Sequence, residues 1–227
     1  MPGEHGGSNW GGSAADPATG TLYVRTADQP GFHALREPGA PGGGGGRGPQ
    51  QPPLPPPPDG VVRYTGPLGT MFRTSNGLSA ISPPWASIVA YDLNEGTIKR
   101  RAPLGNVPAL AAQGIKGTGN NQRAHRQGPA VTAGGLIFIG TWGDRTVHAY
   151  DKDNGEILWE KELEANPEGL AAVYDLGGRE YVAFCASGTQ AVEINSIVAV
   201  PGKIEAQGFY VFALPTVARA SRPANKK

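Results

Sequence analysis

Several common ways of building a protein are closed to this sequence. Only one of its 227 residues is cysteine, Cys185, so no internal disulfide can form. Apolar residues make up 38% and nowhere run for the roughly 18 positions that a membrane helix needs. The net charge is +1, from 20 basic and 19 acidic residues, which excludes the basic surface that nucleic acid or an anionic membrane demands. The first residues, Met1-Pro-Gly-Glu-His-Gly-Gly7, carry no secretory signal. The histidines His5, His33, His125 and His148 show no paired ligand spacing, so no zinc site is expected. There is no nucleophile elbow and no phosphate loop. Helical periodicity is nearly absent, and the one short candidate, Pro108 to Gln113, is stopped by Gly114.

Glycine and proline are abundant instead, at 35 and 22 residues. Much of the excess lies between Pro38 and Gly60, where Pro41-Gly-Gly-Gly-Gly-Gly46 and Pro53-Leu-Pro-Pro-Pro-Pro58 stand close together. Such a stretch buries too little surface to offset its ordering entropy and reads as a disordered or polyproline insertion. A surface loop is the favoured reading, and a docking site for a proline-binding partner is the alternative. Cys185 falls in the apolar run Tyr181 to Ala186, where a free cysteine is expected to be a small buried hydrophobe.

The strongest signal is a phrase of eleven residues that occurs twice. Ala90-Tyr-Asp-Leu-Asn-Glu-Gly-Thr-Ile-Lys-Arg100 returns as Ala149-Tyr-Asp-Lys-Asp-Asn-Gly-Glu-Ile-Leu-Trp159, and Leu104 and Leu163 extend the match. In each copy a short apolar run meets Asp-x-x-x-Gly, in which Asp bonds nearby backbone and Gly takes positive φ. A second run follows, so each copy is a hairpin. Asp92 and Asp151 each end a separate hairpin and are turn-capping carboxylates, not a catalytic pair.

Grouping the short runs in fours gives one unit of 13–16, 22–26, 87–91 and 97–103, interrupted by the insertion. A second unit joins 130–132, 136–140, 146–150 and 157–163, and a third supplies 170–174, 181–186 and 209–214. Four-stranded units of about 40 residues predict β-propeller blades, so the fold class is all-β. The expected organisation is a partial propeller over 1–215, with the insertion at 38–60 and a tail at 216–227. Three units are too few to close a ring of four to eight blades, so the remaining blades are expected elsewhere in a longer chain or in partner chains.

These phrases resemble the quinoprotein dehydrogenases that use pyrroloquinoline quinone (PQQ). Ala149 to Trp159 is similar to the family's tryptophan-docking repeat, in which the Trp packs between blades. Pro83-Pro-Trp-Ala-Ser-Ile-Val-Ala-Tyr-Asp-Leu-Asn-Glu-Gly96 resembles its PPWG-x-L-x-A-x-DLNTG segment. Gly128-Pro-Ala-Val-Thr-Ala-Gly-Gly-Leu-Ile-Phe-Ile-Gly140 is close to its GP-x-VTAGGLVFIG pair, and Gly6-Gly-Ser-Asn-Trp-Gly-Gly12 with Asp16-Pro-Ala-Thr-Gly20 to its GG-x-NWGG…DP-x-TG. Tyr210-Val-Phe-Ala-Leu-Pro215 is like its C-terminal strand. The resemblance implies about three C-terminal blades of an eight-bladed, periplasmic or periplasm-facing enzyme of the glucose- or alcohol-dehydrogenase kind. Its substrate would be a sugar or alcohol, and its electron acceptor a quinone or cytochrome.

The resemblance also implies cofactor-binding roles for Asn9 and Trp10, and for Trp142 and Asp144 in the turn Gly140-Thr-Trp-Gly-Asp144. The family's catalytic Asp and calcium ligands come from the N-terminal half of the ring, so no catalytic or metal-binding residue is assigned here and the chain alone is expected to be inactive. Arg100 stands where the first repeat would carry the docking Trp, which implies an altered contact between blades. Arg123, His125 and Arg126 form a basic loop, read as solvated in preference to a carboxylate clamp. The alternative to an enzyme is a non-enzymatic propeller of PQQ-like repeats that serves as a binding or assembly scaffold.

Overall fold

The computed structural model describes residues 7–8, 11–31, 55–62, 64, 72–120, 126–187 and 206–213. The element order is β1 (Ser13–Asp16), β2 (Thr21–Ala27), β3 (Ala86–Asp92), β4 (Thr97–Pro103), α1 (Pro108–Ala111), β5 (Ala130–Val131), β6 (Leu136–Thr141), β7 (Thr146–Asp151), β8 (Ile157–Glu162), β9 (Asn166–Asp175), β10 (Glu180–Ser187) and β11 (Gly208–Ala213). They form three antiparallel sheets: β1-β2-β3-β4, β5-β6-β7-β8 and β9-β10-β11. The fold is that of consecutive propeller blades, and the three units expected from the sequence are all present. Most of the insertion and the whole tail lie outside the described residues.

The repeat is reproduced down to its irregularity. Ala90 pairs with Arg100 and Tyr91 with Ile98, with a register shift between them. Ala149 pairs with Trp159 and Tyr150 with Ile157, with the same shift. The turns close on their carboxylates: Asp92 Oδ1 accepts from the backbone N–H groups of Asn94 and Glu95, and Asp151 Oδ1 from those of Asp153 and Asn154. These bonds to the ionised form hold both carboxyls below their ordinary value.

Strand alternation gives each blade two faces, and facing sheets pack on one another. Between the first two blades, Tyr23, Ile88, Ala90 and Leu104 meet Ile137, Ile139 and Tyr150. Between the second and third, Phe138, Val147, Ala149 and Leu163 meet Ala171, Val182 and Phe184. Close approach demands glycine at the crossings. A Cβ on Gly128 would fall 1.6 Å from the carbonyl oxygen of Gly11, and one on Gly140 would fall 2.6 Å from Pro167.

The two repeat-equivalent docking positions both reach the next blade by different chemistry. Trp159 sets its ring against Phe212 of the third blade, centroids 5.1 Å apart and edge to face. Arg100 places its guanidinium 5.7 Å from the centre of the Tyr23 ring, and Nη1 donates to the carbonyl of Asp153 in the second blade at 2.8 Å. Replacing Trp by Arg thus makes this contact polar.

Cys185 corrects an expectation from the sequence: it is exposed. Val182, Phe184 and Ala186 take the buried pleat positions of β10, and the period of two turns Cys185 to the opposite face, across from Phe209 and Glu168.

Tyr91 and Tyr150 occupy the same place in the repeat but not the same environment. Tyr150 is buried against the first blade, where its hydroxyl accepts from the Gly105 N–H and donates to the Pro103 carbonyl, both at 3.1 Å. Tyr91 lies with Leu22, Val24 and Leu93 along a groove on the far face of the first blade, which no described residue covers. Tyr150→Phe orphans two backbone groups and is expected to cost about 1–3 kcal/mol in a urea unfolding experiment, whereas Tyr91→Phe is expected to change stability little.

Candidate functional site

The turn from β6 to β7 carries two of the four residues singled out by the sequence. Trp142 and Asp144 are both buried, at 7% exposure each. Asn9 and Trp10 lie outside the described residues. Gly143 has φ +96 and Arg145 has φ 55, so the chain reverses within a few residues. The turn is pinned from both neighbours. Asn166 of the third blade accepts the Gly143 N–H on Oδ1 at 3.1 Å. From the first blade, the segment after β4 comes so close that a Cβ on Gly105 would lie 3.0 Å from Asp144 Oδ2.

Asp144 is the centre of a polar cluster. Its Oδ1 accepts a short hydrogen bond from the Thr141 hydroxyl and a longer one, 3.4 Å, from the Thr146 N–H. The Asn106 backbone also bonds to it. Burial pushes its carboxyl up from the ordinary value. Attraction from His148 and the bonds from Thr141, Thr146 and Asn106 oppose that rise without cancelling it. Thr141 Oγ1 lies 3.0 Å from His148 Nε2. His148 is buried, and its Nδ1 faces Glu160 Oε2 of β8 at 3.6 Å, too far for a hydrogen bond. His148 holds the Glu160 carboxyl below its ordinary value.

Arg25 was not foreseen. It lies on the β2 face that packs toward the second blade, beside Tyr23 and Ala27 in the alternation, and is 2% exposed. Nε and Nη2 have no hydrogen-bond partner among the described residues, and no described carboxylate forms an ion pair with it. Desolvation alone lowers its pKa to about 10. Gln127 is similarly placed: Nε2 donates to the Pro167 carbonyl at 2.9 Å, while buried Oε1 is orphaned. Of the basic loop, Arg126 forms an exposed pair with Glu168 at 3.7 Å, and Arg123 and His125 lie outside the described residues. His148, Thr141 and Arg25 had no sequence motif to betray them. Their only signal is that a polar residue takes an inward position of a mostly apolar strand.

A buried guanidinium without a partner among the described residues suits a carboxylate, and a buried indole suits an aromatic ring. For a metal the chain offers less: among the described residues no group of three or more His, Cys, Asp or Glu side chains converges.

Residues 1–182 match the PQQ family described as "Glucose/ethanol/alcohol dehydrogenase, beta-propeller domain". The chain belongs to that family. It is 30% identical over 210 residues to the glycerol dehydrogenase large subunit of Gluconobacter thailandicus, covering 82% of this chain and 27% of that protein. It is 28% identical over 195 residues to the quinoprotein glucose dehydrogenase of Escherichia coli strain K12, covering 83% and 24%. Among solved structures, quinohemoprotein alcohol dehydrogenase from Comamonas testosteroni superposes with a TM-score of 0.53 at 18% identity, covering 93% of this chain and 27% of that one. The chain thus spans about a quarter of the length of the relatives it matches.

Asp144 carries a pH signature with a definite sign. Its folded pKa is raised, so its burial favours folding while it is protonated and opposes folding as pH rises through the folded value. Stability measured against Asp144→Asn is therefore expected to fall as pH is raised above 3.8, the ordinary value, and to level off once the carboxyl is ionised. For Arg25 the expected outcome is the reverse of a structural residue's: Arg25→Met removes an uncompensated buried charge and should raise the unfolding free energy of the ligand-free chain by roughly 2 kcal/mol.

Proposed function

We propose that this chain forms C-terminal blades of a PQQ-dependent dehydrogenase. The enzyme oxidises a sugar or alcohol and passes the electrons to a quinone or cytochrome acceptor on the periplasmic side. The observation that carries this reading is the buried Arg25 guanidinium, whose Nε and Nη2 have no partner among the described residues, set in a chain that belongs to the quinoprotein family and keeps a buried Trp142 beside Asp144. A protein retains such a charge at a cost in stability where a ligand uses it.

When bound, PQQ supplies the two-electron redox chemistry. The residues of this chain bind and orient. Trp142 offers an aromatic surface, Arg25 a fork of donors for a carboxylate, and Asp144 a carboxyl whose proton affinity is raised by burial. Asn9 and Trp10 are assigned to the same pocket on the strength of the family resemblance. The general base and the calcium ligands are assigned to the part of the enzyme that this chain does not include. The relatives' names support the substrate class: glycerol for one and glucose for another.

Tryptophan fluorescence provides the test. Titrating the purified chain with PQQ should give saturable quenching, and Arg25→Met should weaken it by about tenfold, the loss of one charge-assisted contact. The chain alone, even with PQQ and calcium, should show no dye-linked oxidation of glucose or alcohols. An absence of quenching would move the reading to a propeller that serves as an assembly scaffold.

A further inference from the structure

Thr141, Asp144, His148 and Glu160 form a row that crosses the second blade from its buried turn to its outer strand. Asp144 is 7% exposed and His148 1%, while the Glu160 side chain is 58% exposed. Consecutive members are a short hydrogen bond, 3.0 Å and 3.6 Å apart. Every member takes up or hands on a proton, and nothing in the binding of an aromatic anion requires His148 or Glu160.

The hydrogen positions admit two arrangements. Thr141 has one proton to give and faces both Asp144 Oδ1 and His148 Nε2. If Asp144 is ionised, Thr141 donates to it, Nε2–H donates to Thr141, and a neutral His148 leaves Nδ1 bare against Glu160. If Asp144 is protonated, it donates to Thr141, Thr141 donates to Nε2, and Nδ1–H points at Glu160. The second arrangement turns the Nδ1 proton toward Glu160, 3.6 Å away, and passing one proton along the row to Glu160 converts it into the first. The other groups facing the row are the Asn106 and Thr146 backbones on Asp144, the Thr146 carbonyl 3.2 Å from Thr141 Oγ1, the Tyr150 ring 5.7 Å from His148, and Lys116 near Glu160. The Thr146 carbonyl competes for the single Thr141 proton, and the others leave the row intact.

We propose that Asp144–Thr141–His148–Glu160 is a proton-conducting chain that carries protons between the buried β6–β7 turn and solvent. This rests on the reading of the turn as part of a dehydrogenase site. Oxidation of an alcohol carbon to a carbonyl releases two electrons and two protons. The electrons leave to the quinone or cytochrome acceptor, and the protons need a route through a dry interface. Starting from the second arrangement, Asp144 passes its proton to the Thr141 oxygen as the Thr141 hydroxyl proton moves onto Nε2. His148 releases its Nδ1 proton to Glu160, and Glu160, which is exposed and free to rotate, closes the gap and releases the proton to water. Asp144 is left ionised with His148 in its Nε2–H form; tautomer exchange of His148 and a new proton on Asp144 restore the row, so one proton leaves for each that enters and no bond between heavy atoms changes.

The test uses the ligand-free chain, so it is independent of PQQ binding. Time-resolved infrared spectroscopy after a rapid drop in pH follows the band of the protonated buried carboxyl, assigned by its loss in Asp144→Asn. Glu160→Gln, at an exposed position that does not threaten folding, should slow the appearance of the band by roughly tenfold or more. Millimolar imidazole buffer should restore the rate by replacing the surface proton carrier. Thr141→Val should slow it without such rescue. Equal rates in wild type and Glu160→Gln would overturn the proposal, as would slowing that imidazole does not relieve. Failure of PQQ to quench the chain would overturn the dehydrogenase reading and leave this measurement unaffected.

Discussion

A strongly twisted four-stranded sheet has two faces, and side chains that alternate along each strand give both of them apolar content. In this protein the only way to remove those faces from water is to lay one sheet on the next, and everything else follows from how closely that is done. Contacts of backbone on backbone at Gly11 and Gly128, and of Gly140 on Pro167, set the spacing. At that spacing Tyr23, Ile88 and Leu104 reach Ile137, Ile139 and Tyr150, and the turn after β6 is pressed between its neighbours. The buried polar cluster exists because the blades approach to this distance and no further.

The same constraint explains why two copies of one phrase behave differently. Tyr150 has a blade in front of it and becomes a buried two-way hydrogen-bonding post, while Tyr91 lines an open groove. Arg100 and Trp159 sit at one register position. One docks through a carbonyl and an aromatic face, the other through an edge-to-face ring contact. A docking position requires reach and a partner, and either a guanidinium or an indole meets that requirement.

Electrostatics concentrate where the packing is tightest. Asp144, His148 and Arg25 are all buried in strands or turns that pack between blades. Desolvation raises the carboxyl of one and lowers the guanidinium pKa of another. Such groups weaken the fold in isolation, which is the usual mark of a surface kept for chemistry or for a ligand.

The sequence by itself determined the local matters: where strands run, where they turn, which carboxylates close the turns, and that the blades belong to the quinoprotein family. Period-two alternation, Asp-x-x-x-Gly turns and a duplicated phrase are short-range signals, and short-range geometry suffices to read them. It also pointed to Trp142 and Asp144, because the turn that holds them is contiguous in the chain. The tertiary structure alone decided that Cys185 faces outward, that Arg25 is buried with Nε and Nη2 unpartnered among the described residues, and that Thr141, His148 and Glu160 line up behind Asp144. Those facts depend on which face of a strand meets which neighbour and on pairing between β6, β7 and β8. A residue's own neighbours in the chain do not encode what lies across a sheet or between two blades.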